Sequence, residues 1–86
     1  MSGNQQIILQ SLSMDLLRAG LGRHRGSHKL ADRFIEEAKK RLGEIETAGH
    51  TQLITDISAV LSANSDRQAE DLLMYSTLIR NRASAL

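Results

Sequence analysis

The sequence predicts an all-α fold: a compact up-and-down bundle of three to four helices, formed as one domain over residues 1–86. Three observations carry this. Proline is absent while Leu, Ala, Glu, Lys, Arg and Gln are plentiful, residues that lose little side-chain freedom in a helix. Apolar residues recur at steps of three and four, the period of one helix face. No alternating apolar run, hairpin dipeptide or internal repeat marks a strand or a repeated unit.

The first helix is expected over residues 4–21, with Ile8, Leu9, Leu12, Leu16 and Leu17 on a stripe that can extend to Leu21. Gly20, Gly22 and Gly26 end it, because glycine costs about 1 kcal/mol inside a helix and suits the position beyond one. The second helix, 27–48, starts from Ser27 as N-cap. Leu30, Ala31, Phe34, Ile35, Ala38, Leu42 and Ile45 line one face of it. Its polar face offers Glu36–Lys40 and Glu37–Arg41 at i,i+4, each pair worth about 0.2–0.5 kcal/mol. Gly49-His50 reads as its stop. A third helix, 51–63, capped by Thr51, carries Leu53, Ile54, Ile57, Val60 and Leu61. The fourth, 65–84, opens on Ser65 with Gln68 three residues later, a capping-box pattern. Ala69, Leu72, Leu73, either Tyr75 or Ser76, Ile79 and Ala83 form its inner side.

Composition narrows the function. With no cysteine there is no disulfide, thiolate zinc site, iron–sulfur cluster or cysteine nucleophile. A domain of this size without that staple fits a reducing compartment, so a cytoplasmic, bacterial protein is expected. The opening MSGNQQ lacks the positive charge of a signal peptide, and no apolar run nears the roughly 20 residues of a membrane span. No membrane partner is expected. The formal net charge of +1 is too small for binding by bulk electrostatics, and Phe34 and Tyr75 are too few aromatics for base stacking.

Charge is nonetheless segregated. Between Asp15 and Asp32 every formal charge is positive: Arg18, Arg23, Arg25 and Lys29, with His24 and His28 among them. His28 and Lys29 fall in the first turn of a helix, where the dipole disfavours cations, and a bound anion would relieve that conflict. Arg18, Arg23, His24, Arg25, His28 and Lys29, extended by Arg33, are therefore the candidate surface for an acidic protein or a phosphate-bearing partner. Residues 56–72 fit a helix-turn-helix loosely. The would-be reading helix opens with Asp66 and continues Glu70-Asp71, which would meet phosphates with like charge, so specific DNA recognition is not expected. Two histidines four residues apart make half a metal site, and no nucleophile elbow, phosphate loop or dinucleotide motif is present. No catalytic residue, metal or cofactor is expected.

The first and fourth helices carry more apolar surface than one stripe needs. Ile7, Ile8, Leu9, Leu12, Met14, Leu16 and Leu17 spread round the first; Leu72, Leu73, Met74, Tyr75, Leu78 and Ile79 round the fourth. Ile8, Leu12, Leu16, Leu73, Met74 and Leu78 are the expected interface of a homodimer. The sequence thus reads as a small, non-enzymatic adaptor or regulatory interaction module that self-associates. The alternative is a weak phosphate- or nucleic-acid-backbone binder using the basic turn.

Overall fold

The computed structural model describes residues 2–45, 50–63 and 65–85. They form four helices and, among the described residues, no strand: α1 (Ser2–His24), α2 (His28–Leu42), α3 (Thr51–Ser62) and α4 (Gln68–Ser84). The all-α bundle expected from the pattern is the fold observed.

The helices run up, down, up and down. α1 and α4 are antiparallel neighbours joined at three levels, seven residues apart on each helix. Gln6 Nε2 donates to the Ala83 carbonyl at 3.0 Å. One level in, the Ser13 hydroxyl donates to the Ser76 carbonyl and the Ser76 hydroxyl to the Ser13 carbonyl, each at 3.0 Å. At the third level a Cβ on Gly20 would lie 2.9 Å from the Leu73 side chain and 3.1 Å from the Ala69 carbonyl oxygen. Small side chains at each level let the two backbones approach closely.

α2 descends along the other flank of α1. A Cβ on Gly22 would lie 3.2 Å from the Ala31 backbone nitrogen. The Arg18 guanidinium sits 5.5 Å over the Phe34 ring, and Arg41 Nε stands 3.4 Å from Asp15 Oδ2. α3 lies diagonal to α1, with no Cα within 8 Å of it, and packs against α2 and α4. Between the four helices Leu9, Leu12, Leu16, Ile35, Ile57, Leu61, Leu72 and Ile79 form an almost wholly aliphatic core.

Helix ends depart from the sequence expectations for identifiable reasons. α1 continues through Gly20 and Gly22 because both are needed where Leu73 and Ala31 press against it. It ends instead in a Schellman turn. Gly26, at φ +75°, donates to the Arg23 carbonyl and Ser27 to the Gly22 carbonyl. Of these glycines only Gly26 acts as a stop. α2 ends at Leu42 with Gly43 as C-cap; residues 46–48 of the longer expected helix, and Gly49, lie outside the described residues. Ser27 occupies the N-cap of α2 without a side-chain cap bond, and His50 rather than Thr51 holds that position at α3. The i,i+4 pairs of α2 are replaced by i,i+3 pairs, Lys39 with Glu36 at 3.6 Å and Lys40 with Glu37 at 3.8 Å. Arg41 turns away from Glu37 because Asp15, buried on α1, requires a cation. The capping box at Ser65 does not form, and α4 starts three residues late.

Candidate functional site

Gln68 is the reason for that late start. Its buried amide Nε2 donates to the carbonyls of Val60 at 3.1 Å and Ala63 at 2.8 Å, satisfying acceptors exposed at the end of α3. Its oxygen accepts from Arg23 Nε at 2.9 Å. Arg23 also lies 3.1 Å from His28 Nδ1 through one terminal nitrogen and donates from the other to Asp32 Oδ1 at 2.6 Å. One guanidinium therefore ties the end of α1 to the starts of α2 and α4. Beside it opens a cleft of about 260 Å³ lined by Arg23, His28, Ser65, Asp66, Gln68 and Ala69.

This geometry redistributes the basic cluster. Arg18 is committed to the Phe34 ring, and Arg23 is half-buried and charge-paired with Asp32. His24, Arg25, His28 and Lys29 are exposed, with His28 and Lys29 in the first turn of α2 as expected, and Arg33 is exposed further along the same helix. The cleft thus has the Asp32 carboxylate on its arginine and Asp66 in its lining. An anion entering it would have to displace the first and face the second. His24 and His28 gather no further ligands: among the described residues no group of three His, Asp or Glu is placed to hold a metal.

The second candidate surface lies on the α1/α4 pair. Ser13 and Ser76 face each other, and each residue step turns an α-helix by about 100°. Leu9, Leu12, Leu16, Leu72 and Ile79 therefore fall on one side of the pair, toward α2 and α3, where all are buried. Ile7, Gln10, Met14, Leu17 and Leu21, with Glu70, Leu73, Thr77 and Arg80, fall on the opposite side, which none of the described helices covers. Ile7 is 61% exposed, Met14 43% and Leu21 37%, at steps of seven along α1. Met74 and Leu78, 49% and 44% exposed, lie on the side of α4 remote from α1.

The interface expected from the sequence is corrected accordingly. Leu12 and Leu16 are completely buried in the chain's own core, and Ile8 packs against it. Leu73 remains half-buried over Gly20, and Met74 and Leu78 are open. Periodicity alone could not separate two apolar stripes on α1. The discriminating signal is the set of small residues, Ser13 and Gly20 with Ala69, Ser76 and Ala83, which mark where the helices touch.

Asp15 is the other residue that sequence reading passed over. Burial raises its carboxyl above the ordinary carboxylate range, with the Arg41 charge pulling the other way. The pair is close without being aligned as a hydrogen bond. Among the described residues no helix is long and apolar enough to cross a membrane. No family model matches the chain, and comparison with curated proteins and with solved structures finds no match.

Proposed function

We propose that the protein is a non-catalytic helical interaction module that self-associates through the uncovered side of the α1/α4 pair. The observation that carries this reading is the row Ile7, Met14 and Leu21, exposed and spaced by seven on the face turned away from the core. A seven-residue apolar repeat is the seam along which helices pack, and Leu17 and Leu73 widen it. Met14 adds a side chain that adapts to an uneven partner surface. An anion held at the α1–α2 turn has less support, because Arg23 is already neutralised by Asp32.

Sedimentation equilibrium tests the reading. The expected mass is twice 9.5 kDa, with little change between low and high salt, since apolar contacts are not screened. Met14→Glu should give a monomer with unchanged helical circular dichroism. A parent chain that stays monomeric at millimolar concentration would refute the proposal.

A further inference from the structure

Resting on that reading, we infer that the second copy docks antiparallel, about a two-fold axis level with Met14, so that Glu70 of each chain meets Arg80 of the other. The axial register of α1 against α4 is fixed by the reciprocal Ser13–Ser76 bonds, which place Met14 level with Tyr75. About that level the outer face is self-complementary. On α1, Ile7 and Leu21 stand seven residues to either side of Met14, so reversal lays Ile7 on the other copy's Leu21 and Met14 on Met14. On α4, Glu70 and Arg80 stand five residues to either side of Tyr75 and turn to the same outer side. Both are exposed, and neither makes an ion pair among the described residues. Reversal therefore brings each unpaired acid to the level of an unpaired base, twice per dimer. A parallel arrangement keeps Glu70 level with Glu70 and Arg80 level with Arg80, and forfeits both pairs.

The size of the face is adequate. The molecule measures 38 by 19 by 19 Å, and a long side of that body is of the order from which a standard interface draws ~800 Å² per partner. Such an interface is isologous and closes at two copies.

The experiment combines charge reversal with thiol cross-linking, which is clean because the chain has no cysteine. Glu70→Arg and Arg80→Glu should each weaken dimerisation on the order of tenfold, by turning two attractions into repulsions. The double variant should recover the parent affinity to within about twofold. Met14→Cys should oxidise to a disulfide-linked dimer. Ile7→Cys alone and Leu21→Cys alone should not, whereas an equal mixture of the two should. All five positions are exposed, and circular dichroism verifies that each variant remains folded. A dimer in which Ile7→Cys cross-links to itself, or in which the double charge variant is no better than the singles, overturns the antiparallel pairing and leaves self-association standing. A chain that is monomeric at every concentration overturns both and gives the face to another occupant.

Discussion

Asp15 sits where a carboxylate is least at ease, buried on α1 with one imperfectly aligned cation. Its raised pKa means that the folded state holds the proton more tightly than the unfolded chain. The contribution of Asp15 to stability is therefore largest below the ordinary carboxylate range and is lost as pH rises through the interval up to the raised value. Asp15→Asn keeps the shape and removes the charge. Arg41, about a third exposed and already within 3.9 Å of Glu44, has somewhere else to go. The variant is expected to melt above the parent at pH 7, with the gap closing as pH is lowered into the carboxylate range. Thermal scans from pH 3 to 7 check this, and a variant less stable than the parent at neutral pH would contradict it. The position was invisible in the sequence because Asp15 lies on the polar edge of the stripe; only the approach of α2 puts it out of water.

At the scale of elements, the apolar stripes located all four helices, and their interiors were legible from Leu and Ile spacing alone. The ends were not. Gly20 and Gly22 carry the same local signal as Gly26, a cost of about 1 kcal/mol in a helix, yet only Gly26 acts on it. The other two are retained because a neighbouring helix occupies the space a methyl group would need, which is a property of the tertiary packing. The capping pattern at Ser65 failed similarly, since Gln68 satisfies α3 carbonyls and Arg23 instead of its own helix. Two glycine-to-alanine substitutions should then diverge. Gly20→Ala is expected to destabilise by about 1–3 kcal/mol through overpacking against Leu73 and Ala69. Gly43→Ala, where φ is −67° and the nearest atom is at ordinary contact distance, is expected to stabilise by about 0.4–1 kcal/mol. Urea denaturation of the two variants makes the comparison, and equal signs would refute the packing explanation.

For the molecule as a whole, the distribution of contacts sets the order of opening. α1 is packed along its length between α2 and α4, whereas α3 meets its neighbours at much greater separation. Local stability follows such packing, so amide hydrogens of α3 should exchange first and those of α1 and α4 last. Native-state hydrogen exchange followed by mass spectrometry reads this directly, and protection of α3 equal to that of α1 would contradict it. The same whole-molecule view explains which site was legible. The basic cluster could be read as charge, but the pairing of Arg23 with Asp32 and its hydrogen bond to the Gln68 amide depend on residues as distant as α4. The uncovered apolar face could be read only once the helix contacted by Ser13 was known.

The two serines exchanging hydroxyl and carbonyl across α1 and α4 have a mechanical consequence. Helices whose contact is purely greasy can slip past one another by a turn and settle in an equivalent nest, the stroke of a piston. Here a displacement of one turn would strand two buried hydroxyls and lift Leu73 out of the notch at Gly20. The α1/α4 half of this protein is consequently a clutch without slip. Any signal the molecule relays by changing shape has to be carried by the α2/α3 half, while the face formed by α1 and α4 is presented always in the same register.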